Sequence, residues 1–297
     1  MGKEEVEYLK NNRCSKLLPN VKLKEEILIT NDIKEVVLDA DVVFHVTPSK
    51  NAVDTLKMYN EYLKETAYIV ICSKGISENG KMLSEEFEKY ISKEKIAVLT
   101  GPTHAEEIAE KKLSAMVIAS INEEVKNKVI EIFASSYIRL YKSNDIIGVQ
   151  IGGALKNIIA FCSGIIIGMG EGDNTLAAIC TRGLSEISRF SEKYGSNSKT
   201  IYGLSGLGDL LVTCLSEHSR NRKAGILLSQ GKTLEEVRKE VGMVIEGLEN
   251  LKTVKEMADS LNAEMPIINA LYNVVYKNKE IKEEINNLMS RDMKEEY

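Results

Sequence analysis

The sequence predicts an α/β plus all-α architecture, with a parallel-sheet domain over residues 1–145 and an all-helical domain over residues 146–297. Three observations carry this. Short continuous apolar segments alternate with helical periods through the first half, as in a parallel sheet covered on both faces. From about Asn144 the spacing is helical throughout, with no convincing strand. A chain of 297 residues is about two domains long at roughly 150 residues each.

The elements follow in order. Residues 3–12 have helical spacing, and Leu17 to Asn20 reads as a turn. Residues 27–30 are expected as a brief strand, and 32–40 as a short helix with the acidic Asp32 near its start. Residues 41–46 form a buried strand closed by Thr47-Pro48-Ser49, then 52–62 a helix. Residues 68–72 form a second buried strand, stopped by Ser73-Lys74-Gly75, then 82–93 a helix. Residues 96–99 form a third strand, stopped by Thr100-Gly101-Pro102-Thr103. A strand at 113–120, a helix at 123–135 and a strand at 138–141 complete this half. Ligands of such sheets sit at the carboxyl ends of the strands, and three successive ends here are small or turn-forming. Helices are expected at 148–168, 175–194, 233–241, 247–261 and 266–276, with a charged surface helix within 277–297.

Composition narrows the function. Thirty-nine basic against 44 acidic residues give a net charge of −5, so nucleic acid is not the expected main partner, although a local basic pocket for a small anion stays open. The five cysteines, Cys14, Cys72, Cys162, Cys180 and Cys214, are widely spaced with no CxxC. That argues against a disulfide framework or structural zinc and fits a reducing cytoplasm. No uncharged apolar run approaches ~18–20 residues, so no membrane span is expected. The charged N-terminus has no apolar signal core.

Five stretches carry chemistry. Gly152-Gly153-Ala154-Leu155-Lys156-Asn157 lies in an apolar helix, where small residues admit a close neighbour. A desolvated Lys156 would have a lowered pKa and act as a general base, although from the helix alone a snorkelling lysine is the commoner outcome. Lys74, at a strand end, would donate to a carbonyl or phosphate oxygen or simply sit in a solvated turn. Gly203 to Asp209 is a small-residue segment beside one carboxylate, with no GK[ST] of a P-loop. Ser219-Arg220-Asn221-Arg222 places an N-cap before an arginine in the first turn, which the helix dipole disfavours unless an anion is bound there; an ordinary surface arginine is the other reading. Gly168 to Asn174 reads as a break between two helices. The three histidines, His45, His104 and His218, have no metal-ligand spacing, and no metal is expected. His45 lies in a buried strand and reads as a core residue.

Taken together these stretches resemble the NAD(P)-dependent glycerol-3-phosphate dehydrogenases of bacterial type. The matching segments run in order from Val46-Thr47-Pro48-Ser49 through Cys72 to Gly75, Gly101 to Ala105, Gly148 to Asn157, Thr181 to Leu184 and Gly206 to Asp209 to Ser219-Arg220-Asn221-Arg222. The resemblance implies a Rossmann-like first domain and a helical substrate domain. It implies hydride transfer between NAD or NADP and the pair sn-glycerol 3-phosphate and dihydroxyacetone phosphate, for glycerophospholipid synthesis in the cytoplasm. By the same resemblance Lys156 is the catalytic proton acceptor or donor. Lys74, Gly101, Thr103, Lys156, Asp209, Ser219, Arg220 and Asn221 bind substrate, with Arg220 on its phosphate. Pro48, Ser49, Lys74, Ala105, Arg220, Val244 and Glu246 bind the cofactor. A homodimer is what the family suggests. A phosphate-binding protein without catalysis and a dehydrogenase of another hydroxy acid are the alternative readings.

The family opens with a strand, a GxGxxG loop and a helix that binds pyrophosphate. No GxGxxG follows a strand in this sequence. The first domain is therefore expected to be N-terminally truncated by about 40 residues, more than one βαβ unit, and the chain to bind NAD(P)H weakly.

Overall fold

The computed structural model describes residues 2–134, 137–293, 295 and 296. After helix α1 (Lys3–Asn12), Asp32 caps α2 (Ile33–Val37), its carboxylate accepting the amides of Lys34 and Glu35. Strand β1 (Val42–His45), helix α3 (Ser49–Tyr59), β2 (Tyr68–Ile71), α4 (Leu83–Phe87) and β3 (Ile96–Thr100) follow. The half closes with α5 (Ala105–Ala109), β4 (Ser114–Ala119), α6 (Glu123–Ile132) and β5 (Ile138–Ser143).

The five strands lie in the order β1-β2-β3-β4-β5. Three pairings are parallel, but β3 and β4 run antiparallel, with Leu99 opposite Ile118. The expectation of a wholly parallel sheet fails there for a geometric reason. The connection from β3 to β4, residues 101–113, is the shortest in the sheet and barely the dozen residues that a parallel crossover needs, and β4 makes the return itself. The longer connection through α6 does return the chain, and β4–β5 is parallel.

Three further expectations are corrected. Residues 27–30 form no strand: none of the described residues pairs with them, and the Arg13 guanidinium holds the Ile27 carbonyl instead. The helix expected over 82–93 stops at Phe87, after which the chain turns. The helix expected to reach Ser135 ends at Ile132, and residue 135 lies outside the described residues. Of the C-terminal segment 277–297, residues 281–289 are helical, and residues 294 and 297 lie outside the described residues.

The second half is helical. It comprises α7 (Ile146–Gly168), α8 (Asp173–Tyr194), α9 (Asp209–Leu215), α10 (Arg220–Ser229), α11 (Leu234–Val241), α12 (Glu246–Ser260), α13 (Pro266–Lys277) and α14 (Ile281–Met289). Helix α7 is its axis. It is long and apolar enough to cross a membrane, yet 89% of its apolar window is buried inside the protein. Helices α8, α9, α10 and α12 pack around it, and it also touches β3. It crosses α10 at glycines: a Cβ on Gly225 would fall 2.1 Å from the Phe161 carbonyl oxygen. All five cysteines are free thiols.

Candidate functional site

The carboxyl ends of β1, β2 and β3 open into a cleft of about 660 Å³ whose opposite wall is helical. Thr47 and Pro48 follow β1, Ser73 and Lys74 follow β2, and Thr103 and His104 follow β3. Helix α7 contributes Lys156 and Asn157, and α9 contributes Thr213. Ser219, Arg220 and Asn221 at the start of α10, with Val244 and Glu246 before and at the start of α12, complete the wall.

Behind the cleft lies one buried carboxylate with two ammonium groups. Asp209 is 1% exposed. Lys156 Nζ donates to its Oδ1 at 2.5 Å, and Lys74 Nζ donates to its Oδ2 at 2.8 Å. Lys74 also donates to the Gly101 carbonyl, and Lys156 to the Thr213 hydroxyl at 2.8 Å. Thr213 sits one turn after Asp209 and donates back to its carbonyl at 2.6 Å. The backbone makes this convergence possible at Gly152. A Cβ there would fall 2.6 Å from the Ser205 carbonyl oxygen. Glycine thus lets α7 press against the π-helical turn Leu204–Gly208 that delivers Asp209.

The electrostatics follow from burial. Lys156 is 5% exposed, and loss of solvent pushes its ammonium down to about 8. The nearby Lys74 charge acts in the same direction, and Asp209 opposes both. An ammonium has three donors; Asp209 and Thr213 take two of Lys156's, leaving one for a ligand in the cleft it lines.

A second polar chain borders the first. Asn157 donates to Glu246 at 3.0 Å and accepts from Asn221 at 3.0 Å. The Asn221 carbonyl accepts the Gly247 amide at 2.9 Å, fixing the start of α12. Burial raises the Glu246 carboxyl pKa, while Arg220, Lys74 and Lys156 oppose that rise. Ser219 caps α10 by accepting the Arg222 amide, so Arg220 opens the helix with its side chain in the cleft.

Most of the expected residues meet here. Pro48, Lys74, Thr103, Lys156, Ser219, Arg220, Asn221, Val244 and Glu246 line the cleft. Asp209 and Gly101 act on it from behind, through the lysines. Ser49 opens α3 and packs on Gly75, while Ala105 opens α5 beside His104; neither lines the cleft. Thr47, Thr213, His104 and His218 are cleft residues that sequence reasoning did not assign. Thr213 had a readable signal, since residues four apart share a helix face.

Comparison with known proteins points one way. The family model described as "NAD-dependent glycerol-3-phosphate dehydrogenase N-terminus" matches residues 1–126, and that described as the C-terminus matches residues 145–286. A glycerol-3-phosphate dehydrogenase [NAD(P)+] of Fusobacterium nucleatum is 44% identical over 296 residues, covering 98% of this chain and 88% of that one. One of Syntrophomonas wolfei is 41% identical over 299 residues, covering 99% and 87%. The crystal structure of glycerol-3-phosphate dehydrogenase from Coxiella burnetii superposes with a TM-score of 0.93 at 29% identity, covering 97% of this chain and 89% of that one. With its strand-end cleft and its lysine–aspartate–lysine cluster, the chain belongs to the NAD-dependent glycerol-3-phosphate dehydrogenase family.

Proposed function

We propose that this chain interconverts sn-glycerol 3-phosphate and dihydroxyacetone phosphate by hydride transfer with NAD or NADP. The observation that carries the reading is the buried carboxylate of Asp209 shared by Lys74 and Lys156. It gathers two donors and one lowered lysine pKa at the edge of a single cleft.

The donor set suits a dinucleotide. The cleft lies at the strand ends where such cofactors bind, and Lys74, Lys156 and Arg220 line it. Pro48, Ser49, Lys74, Ala105, Arg220, Val244 and Glu246 would hold the cofactor, which when bound supplies or takes the hydride. Arg220 would fix the substrate phosphate through its planar fork, with Ser219 and Asn221 beside it. Lys74, Gly101 and Thr103 would orient the three-carbon chain. In reduction Lys156 gives a proton to the carbonyl oxygen as the carbon becomes an alcohol; in oxidation its neutral amine takes the C2 hydroxyl proton. Asp209 holds both lysines in place and balances one of their two charges.

In this reading residues 1–145 serve the cofactor and 146–297 the substrate, the enzyme works in the cytoplasm for lipid synthesis, and a homodimer is its assembly. The test is direct. NADH or NADPH oxidation should follow addition of dihydroxyacetone phosphate. Lys156→Met should lower turnover by roughly 10²–10⁴-fold, the range of general acid–base catalysis. Unchanged kcat in Lys156→Met would refute the assignment.

A further inference from the structure

A second polar relay approaches the same cleft from inside the sheet. His45 ends β1 and is 3% exposed. Its Nδ1 lies 2.7 Å from the Tyr59 hydroxyl at the end of α3, and its Nε2 lies 2.8 Å from the Thr47 hydroxyl. Tyr59 is 2% exposed, and His45 is its one hydroxyl partner among the described residues. Thr47 lines the cleft. The Ser73 hydroxyl donates to the Thr47 carbonyl at 2.5 Å, which ties this loop to the one bearing Lys74.

The proton positions follow from what is buried. Burial holds the imidazole neutral, pushing its pKa down to about 4. A neutral ring carries one N–H. If that hydrogen were on Nδ1, the Tyr59 hydroxyl would accept it and keep its own hydrogen buried with no acceptor, the more costly arrangement. If it is on Nε2, Tyr59 donates to Nδ1 and Nε2–H donates to Thr47 Oγ1. Every buried group is then satisfied, and the one hydrogen left over is that of Thr47, which faces the cleft. A chain of this kind polarises its last member.

We infer that Tyr59 and His45 hold the Thr47 hydroxyl as a hydrogen-bond donor aimed at an acceptor oxygen of the nicotinamide dinucleotide. Thr47 is the binding residue, and His45 and Tyr59 are positioning residues. This rests on the cofactor reading given above and extends it to three residues outside the expected set.

Two measurements test it. NADH affinity, read by fluorescence titration of the full chain, should fall about tenfold in Thr47→Val, the scale of one hydrogen bond to a charged acceptor. Thr47→Ser should restore it. Tyr59→Phe should lower affinity about threefold alone and not at all in the Thr47→Val background, because the relay then has nothing to orient. Equal Tyr59→Phe effects in both backgrounds would mean a merely structural role and overturn the relay. Nitrogen-15 NMR of the imidazole should show the Nε2–H tautomer, and Nδ1–H would overturn it independently of any ligand. NADH binding that is indifferent to Thr47→Val removes the contact alone. Absence of NADH binding by the unsubstituted chain removes the contact together with the cofactor reading.

Discussion

Lys74 and Lys156, one at a strand end and the other inside the central helix, hold opposite oxygens of the single carboxylate of Asp209. The pair is unequal in burial: Lys156 is nearly enclosed, while the Lys74 side chain is 20% exposed. Burial lowers the proton affinity of the enclosed Lys156.

The first prediction concerns pH. With Lys156 near 8, its neutral form grows as pH rises through that value. Glycerol 3-phosphate oxidation should therefore rise through about 8, and dihydroxyacetone phosphate reduction should fall. Rate profiles measured in both directions check the sign. Limbs that run the same way would exclude Lys156 as the titrating group.

Asp209→Asn should leave two ammonium groups without their shared counter-charge. Breaking one partner of a buried pair costs about 3–5 kcal/mol, readable in denaturant unfolding. Because Asp209 is what raises the Lys156 pKa against burial, the kinetic limb should also move below 8. A limb that stays in place would show that the carboxylate does not tune the lysine.

Arg220→Ala should weaken binding of the phosphorylated ketone. Hydrogen bonds to a charged group are worth about 1.5–3 kcal/mol, so KM should rise about 10–100-fold. Unphosphorylated dihydroxyacetone, a poor substrate in this reading, should lose less, only what Arg220 contributes to holding the cofactor. An equal loss for both ketones would place Arg220 away from the phosphate.

Gly152→Ala sets two effects against each other. Alanine favours a helix interior over glycine by about 1 kcal/mol. Against that, the new Cβ would meet the Ser205 carbonyl at 2.6 Å and Gly206 Cα at 3.0 Å, backbone atoms with little room to yield. Overpacking of this kind costs about 1–3 kcal/mol, so the variant should melt lower and lose turnover as the turn before Asp209 shifts. A variant that melts higher with full activity would mean the contact is loose.

Glu186 supplies a stability prediction. It is 1% exposed and accepts the Ile267 and Ile268 amides at the start of α13, yet burial raises its carboxyl to about 7. The folded state thus holds a proton that the unfolded state has lost above about 4.5. Stability from this group is full below 4.5 and drains away as pH rises to about 7. Relative to Glu186→Gln, the unsubstituted protein should lose on the order of 3 kcal/mol across that window. Parallel stability curves for the two proteins would show that Glu186 is already ionised in the fold.

The alternation of strands and helices, the change of pattern near Asn144 and the motif residues Lys74, Lys156, Asp209 and Arg220 were all legible in the sequence, because apolar periodicity and local residue chemistry are written along the chain. The antiparallel return at β3–β4 was not, since strand direction is settled by pairing across the sheet and not by spacing along the chain. Nor was the absence of a strand at 27–30, which depended on whether any neighbour would pair with it. The same limit held at the site. Sequence named two lysines and one aspartate, but packing at Gly152 brought them to one carboxylate, and burial, with the Lys74 charge beside it, lowered the Lys156 pKa. His45 looked like a plain core residue until the fold set Tyr59 on one ring nitrogen and Thr47 on the other. Residue identity and spacing are properties of the chain; desolvation and hydrogen-bond partnership across long separations exist only once the chain has closed on itself.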